Sequence, residues 1–324
     1  MMKQEQQRRR RVQEAEELTR GEKRELIDAL RQRREIPTKF AYIGKGAALW
    51  LVSARKANSP EAESQEVGRR LIEDNTQHLF QYLNGESMVS VIELGPGDAR
   101  AGYPIIGHLH ASGRLERYVP IDISRGLLGV SAENVRLAFS AKVEPYRADF
   151  DTEEVGRVIG RFHGEKLVMF LGSTLSNQAD MNLLLTRIRE SMGKDDHILV
   201  TNGLNDMGSL AERRKDYEFK LAFDFFFSTL SPYASQKDFR YEVKANTNTN
   251  AVEGYLISKR DTQVRIGEEV VGVSKGEQIR VFRSNELSDW KLIKLMSESG
   301  YRTEFFTTSE HGDWGLVMAR RASA

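Results

Sequence analysis

Residues Val89-Ser90-Val91-Ile92-Glu93-Leu94 form an apolar, β-branched run that stops abruptly at Gly95-Pro96-Gly97-Asp98. A buried parallel strand reads this way where it delivers the chain into a tight loop against a ligand. Glycine lacks a Cβ, so such a loop bends sharply and its backbone can approach the bound molecule closely. Open α/β sheets hold nucleotides at the carboxyl end of this first strand. The stretch therefore constrains the chain to a strand–loop–helix unit of a wound parallel sheet.

Two cofactor classes compete for such a loop. A dinucleotide fingerprint requires a third glycine for close helix–strand packing, and Arg100 stands in that place. Glu93, just ahead of the glycines, suits the Glu-x-Gly-x-Gly loop of S-adenosylmethionine enzymes. A short Gly-x-Gly turn alone is as often structural as cofactor-binding, so the rest of the chain must decide.

With 324 residues, the chain can bury one large or two modest domains. A net charge of +1 gives no electrostatic reason to expect a nucleic acid or an anionic membrane. The absence of cysteine removes disulfides, thiolate metal sites and a cysteine nucleophile together. No apolar run reaches the length of a membrane span, and the N-terminus lacks the apolar region of a signal peptide. The expectation from composition is a soluble, cytoplasmic protein that meets neither nucleic acid nor membrane; a monomer acting on a small molecule without a metal is expected only with the family resemblance that follows.

Residues 1–17 are dense in charge and include Arg8-Arg9-Arg10-Arg11; acidic residues follow at once, so a solvated tail is favoured over a nucleic-acid arm. Thr19 with Glu22 reads as a capping box for a short helix carrying Leu26, Ile27 and Leu30, ending before Pro37. An aromatic loop, Ile36 to Gly46, leads into Ala47-Ala48-Leu49-Trp50. Residues 57–65 break the pattern, and Val67 to Leu83 reads as a helix.

After the glycine loop, Ala101 to His110 starts a helix, and Arg117 to Ser124 supplies a second strand. Asp122 at its end suits ribose hydroxyls, which donate to a carboxylate; a helix N-cap or surface turn serves equally well as an explanation. Val143 to Asp151 reads as a third strand segment, whose Asp149-Phe150 could meet an adenine amino group and base. Lys166 to Leu171 and His197 to Thr201 are the fourth and fifth strands, with a helix from Met181 to Met192. This alternation implies a doubly wound parallel sheet.

The alternation ends after Asn202. Leu210 to Leu230 reads as one long helix with an aromatic face of Phe219, Phe223, Phe226 and Phe227. Strands follow over 251–257 and 263–266, with a further extended segment over 278–284. An amphipathic helix, Leu287 to Ser299, and two strands, Tyr301 to Phe306 and Trp314 to Ala319, return to the core. His108 and His110 are two residues apart and point to nearly opposite faces of a helix, so they are not read as a metal pair.

Several stretches now coincide in order and spacing. Pro37-Thr38-Lys39-Phe40-Ala41-Tyr42, Glu93-Leu94-Gly95-Pro96-Gly97, Tyr118 to Ser124, Asp149-Phe150 and Phe170-Leu171-Gly172-Ser173-Thr174-Leu175-Ser176-Asn177 together resemble the histidine-specific S-adenosylmethionine-dependent methyltransferases. The resemblance runs from about Leu26 to Ala319. It implies an α/β fold, a Rossmann-like class I methyltransferase core (61–196 and 287–324) with an inserted α+β substrate-binding domain (1–60 and 197–286). It further implies that Glu93, Gly95, Gly97, Asp122, Asp149 and Phe150 serve S-adenosylmethionine. Tyr42, Asn177 and Tyr217 would hold the amine and carboxylate of an amino acid, take part in the transfer and form the substrate site with Gly172, Gly254, Phe282 and Ser284. Ordinary packing is the competing explanation for Tyr42 and Tyr217, and a helix N-cap before Met181 for Asn177.

The departures from the family pattern bear on the acceptor. The usual Tyr-Tyr-Pro-Thr run is missing, and Asn58-Ser59-Pro60-Glu61 stands near its place. Phe282 stands where the histidine enzymes carry a glutamate, and Gly254 where they carry a methionine. An imidazole N–H left unpaired in a buried site costs roughly 1–3 kcal/mol. Histidine is therefore disfavoured, and a roomier, apolar pocket for a larger ring such as an indole is expected. Two alternatives stand beside this: methylation of a side-chain nitrogen such as that of arginine, and a non-catalytic cofactor-binding scaffold.

Overall fold

The computed structural model describes residues 16–56, 59–205, 210–218 and 221–322. The Arg8–Arg11 run, Asn58 and Phe219 lie outside these residues. Two compact units are present, one of residues 1–61, 124–126 and 208–286, the other of 62–123, 127–207 and 287–324.

The larger unit is built on β1 (Val89–Leu94), β2 (Leu115–Asp122), β3 (Tyr146–Arg147), β4 (Glu165–Phe170), β5 (His197–Gly203), β11 (Tyr301–Thr308) and β12 (Trp314–Arg321). Their order is β11-β12-β5-β4-β1-β2-β3. β1 to β5 pair in parallel, whereas β12 pairs antiparallel with β5 and β11 antiparallel with β12. β1 is the middle one of the five parallel strands and the order reverses on either side of it, the switch point at which open α/β sheets take their ligands.

Strand alternation divides the core into two layers. Ile92 and Leu94 point into a cluster with Val119, Ile121, Val168 and Phe170, while Val89 and Val91 join Tyr118, Leu167 and Met169 on the other face. Helices α3 (Pro60–Phe80), α4 (Tyr103–Ala111), α5 (Arg125–Phe139), α6 (Glu154–Ile159), α7 (Met181–Glu190) and α10 (Asp289–Glu298) accompany these strands. α3 begins at Pro60 inside the stretch expected to break the pattern, as suits a proline in a first turn. His108 and His110 both lie on α4, with the His108 ring 4.0 Å from Phe80. The third strand shrinks to two residues.

The smaller unit begins with α1 (Arg20–Arg33), whose start carries the expected capping box. The Glu22 amide donates to Thr19 Oγ1 at 3.3 Å, and the Thr19 amide donates to Glu22 Oε2 at 2.7 Å. A 3-10 turn, Thr38–Tyr42, leads into α2 (Lys45–Ala54). Short helices α8 (Leu210–Arg213) and α9 (Ala222–Phe227) precede a three-stranded antiparallel sheet in the order β10 (Gln278–Asn285), β7 (Ala251–Ser258), β6 (Phe239–Asn246). A two-stranded ribbon of β8 (Thr262–Ile266) and β9 (Glu269–Val273) completes it.

Two expectations are corrected. The segment 210–230 is not one helix: α8 passes into a 3-10 turn, Arg214–Tyr217, and α9 starts afresh. The Tyr241 hydroxyl donates to the Tyr217 carbonyl at 3.3 Å, taking an acceptor that a continuing helix would give to residue 221. β5 is fully buried and paired with β4 and β12, so the unit boundary expected at 197 falls at 207–208.

Candidate functional site

In the larger unit, five of the expected cofactor residues are at carboxyl ends of neighbouring strands or in the loop that follows β1. Gly95 (φ +63°) and Gly97 (φ +55°) take the left-handed conformation open to glycine, and Ala99 follows at φ +68°. The Gly95 amide donates to the Ile121 carbonyl at 2.9 Å, fixing the loop against β2. Asp122, buried at 7% exposure, ends β2 one residue later. The Ala148 amide donates to the Asp122 carbonyl at 3.1 Å, which brings the Asp149-Phe150 pair beside it. Asp149 Oδ1 accepts from the Asp151 amide at 3.0 Å, and the Phe150 ring meets Phe170 edge-on at 5.9 Å.

Glu93 occupies a different position from the other five. Its carboxyl is buried on the Val91 face and accepts a hydrogen bond from the Tyr118 hydroxyl at 2.6 Å. Burial, helped by the nearby Asp98 charge and opposed by the Tyr118 hydrogen bond, pushes its pKa up to about 8. A Cβ on Gly102 would stand 3.0 Å from Glu93 Oε2 and 2.9 Å from Met169 Cε. Gly102 is thus the close-packing glycine of this loop. A 3-10 turn, Arg100–Gly102, intervenes before α4 and moves it two residues past the place held by Arg100.

The loop residues fit a nucleoside sulfonium cofactor: two left-handed glycines admit it, Asp122 offers a carboxylate for ribose, and Phe150 offers a ring for a base. Beyond β4, Gly172 (φ +73°) has open space where a Cβ would stand, and its amide donates to Thr201 Oγ1 at 2.9 Å. Asn177 is half-buried in the turn that follows. It does not cap α7, because Asp180 does, accepting from the Leu183 amide at 2.9 Å.

In the smaller unit, the expected acceptor residues gather in one aromatic cluster. Phe282 lies opposite Gly254 across β10 and β7, next to a register shift between Arg280 and Phe282. A Cβ on Gly254 would stand only 2.1 Å from the Phe282 ring. The roomier pocket expected from this pair is therefore not found, since the ring fills the space the glycine leaves. Phe282 stacks with Tyr217 (5.1 Å, 24°) and with Phe226 (4.6 Å, 17°). Phe226 meets Phe225, which meets Tyr42 edge-on at 5.3 Å. The Tyr217 hydroxyl donates to Ser284 Oγ at 2.7 Å.

Tyr42 is placed by close backbone packing. A Cβ on Gly46 would stand 1.8 Å from the Ala41 carbonyl oxygen, so α2 can start against the Thr38–Tyr42 turn only with glycine there. Sequence reasoning did not single out Gly46, Gly102 or Thr201, and it named Phe226 only as part of a helix's aromatic face. The two glycines carried a legible signal, lying where a loop turns into a helix, whereas Thr201 and Phe226 read as ordinary strand and helix residues.

The family described as "Histidine-specific methyltransferase, SAM-dependent" matches residues 22–321. The histidine N-alpha-methyltransferase of Mycolicibacterium smegmatis is 22% identical over 300 residues, spanning 89% of this chain and 91% of that protein. The N-methyltransferase imqF of Aspergillus flavus is 22% identical over 318 residues, spanning 90% and 82%. Among solved structures, the magnesium protoporphyrin IX methyltransferase of Synechocystis PCC 6803 covers 88% of this chain and 98% of its own, with a TM-score of 0.47 and 9% identity. With the family matched over nearly the whole chain and the glycine loop, β2 acid and Gly-Ser-Thr turn in place, the chain belongs to the histidine-specific, S-adenosylmethionine-dependent methyltransferases.

Proposed function

We propose that this N-methyltransferase acts on the α-amine of a free amino acid with an apolar aromatic side chain, such as tryptophan, in preference to histidine. The observation that carries the reading is Phe282: a ring buried in a stack with Tyr217 and Phe226 stands there, and no carboxylate stands at that position to receive an imidazole N–H. A buried aromatic stack makes that wall of the site apolar, which suits an apolar ring and leaves an imidazole N–H unpaired at a cost of roughly 1–3 kcal/mol. Histidine is the competing acceptor, because the relatives from Mycolicibacterium smegmatis and Mycobacterium tuberculosis carry its name.

In this reading, Gly95, Gly97, Asp122, Asp149 and Phe150 hold S-adenosylmethionine, and Glu93 supports their loop from below. When bound, the cofactor supplies a methyl group already activated on a sulfonium. The chain's task is then alignment and proton management. Asn177 aims the acceptor nitrogen, with Gly172 leaving room beside it. Tyr42 and Tyr217 hold the acceptor's carboxylate and amine together with Asn177, and Ser284, which accepts from the Tyr217 hydroxyl, lines the substrate site. An ammonium has no lone pair, so one proton must leave before transfer, and Tyr42, Tyr217 or a water relays it.

Asn177→Ala tests the assignment. Turnover is expected to fall by roughly a hundredfold or more, as misalignment at a transfer centre does, while calorimetric affinity for S-adenosylmethionine is retained. Unchanged turnover refutes the role of Asn177.

A further inference from the structure

We propose that Thr174 is a positioning residue whose methyl group sets the spacing between the glycine loop and the turn that carries Asn177. The inference rests on the proposed roles of that loop and that turn.

A Cβ built on Gly95 would stand 2.8 Å from Thr174 Cγ2, so the threonine methyl sits directly against the glycine's open side. Three hydrogen bonds make this contact a defined spacer. Thr174 Oγ1 donates to the Leu171 carbonyl at 3.2 Å, which fixes the side-chain rotamer and leaves the methyl facing the loop. The Thr174 carbonyl accepts from Gln178 Nε2 at 2.8 Å, gripping the residue immediately after Asn177. Ser176 Oγ donates to the Ser173 carbonyl at 2.9 Å, closing the turn on itself.

Both ends of the contact are anchored independently. Gly95 is tied to β2 through its amide, and the turn begins at Gly172, tied to β5 through Thr201. The loop cannot approach the turn more closely, because the methyl is in the way. Without the methyl, the turn loses its closest contact with the open side of Gly95, and the loop can settle toward it. Methyl transfer depends steeply on the distance and angle between donor and acceptor, so a spacer of one methyl group bears directly on rate.

Four proteins decide it: wild type, Thr174→Ser, Thr174→Ala and Thr174→Val, each assayed for kcat, for acceptor KM and for calorimetric affinity toward S-adenosylhomocysteine. Serine keeps the hydroxyl without the methyl, and valine keeps the shape without the hydroxyl. The expected result is that serine and alanine lower kcat by roughly tenfold or more, with cofactor affinity and acceptor KM within about threefold of wild type. Valine restores most of the rate. Wild-type kcat in Thr174→Ser, or a valine variant as slow as alanine, overturns the proposal. Full activity in Asn177→Ala overturns the underlying site assignment instead, and is measured in a separate protein.

Discussion

The ring of Phe282 occupies the space that any side chain at residue 254 would need, so Gly254 and Phe282 form one packing unit across β7 and β10. Gly254→Ala should force the ring out of its stack with Tyr217 and Phe226 and destabilise the protein by about 1–3 kcal/mol, the usual cost of overpacking. Phe282→Leu should relieve part of that strain. Urea unfolding of both single variants and the double variant should give a coupling energy of about 1 kcal/mol or more, whereas additive effects would show that the two residues do not compete for space.

The same residue should govern acceptor choice. Phe282→Glu places a carboxylate where the histidine enzymes carry one. It should raise kcat/KM for histidine relative to tryptophan by roughly tenfold or more, the size of one buried hydrogen bond to a charged group. Competition assays with both amino acids present read this ratio directly. An unaltered ratio would place the acceptor's side chain elsewhere.

Glu93 makes stability depend on pH. Its folded pKa is raised to about 8 from an ordinary value of 4.5 by burial, with the Asp98 charge adding to the effect. A carboxyl with a raised folded pKa contributes fully below about 4.5, where both states are protonated. The contribution is lost as pH rises from 4.5 toward 8, because the unfolded chain releases its proton first. Glu93→Gln can still accept from Tyr118 and does not ionise. Unfolding free energies measured from pH 5 to pH 8 should therefore fall less steeply in the variant than in the wild type.

Lys166 and Asp196 form a buried pair at the amino ends of β4 and β5, with Nζ 2.8 Å from Oδ2. Asp196 also accepts from the Lys166 amide at 2.8 Å and the Gly193 amide at 2.6 Å. Asp196→Ala leaves a buried ammonium and two amides without this partner. A loss of about 3–5 kcal/mol in chemical denaturation is expected.

Local rules made much of this fold legible. The Thr19–Glu22 cap, the strand-to-glycine break at Leu94-Gly95 and the alternation of β1 to β5 each depend on residues close in sequence. What stayed hidden depends on pairing at long range. The break between α8 and α9 arises because Tyr217 is held by Ser284 and Tyr241, partners 67 and 24 residues away. The filling of the Gly254 space by Phe282 requires the register of β7 against β10, including the shift beside Val281, which no periodicity encodes. Gly102 escaped because an added 3-10 turn displaced it from the spacing of the dinucleotide fingerprint.

The most direct test is to incubate the protein with isotope-labelled S-adenosylmethionine and each proteinogenic amino acid, and to fragment the product by mass spectrometry. The account predicts label on the α-nitrogen of an aromatic amino acid, tryptophan above histidine. Label on a side-chain nitrogen, or a clear preference for histidine, would contradict it.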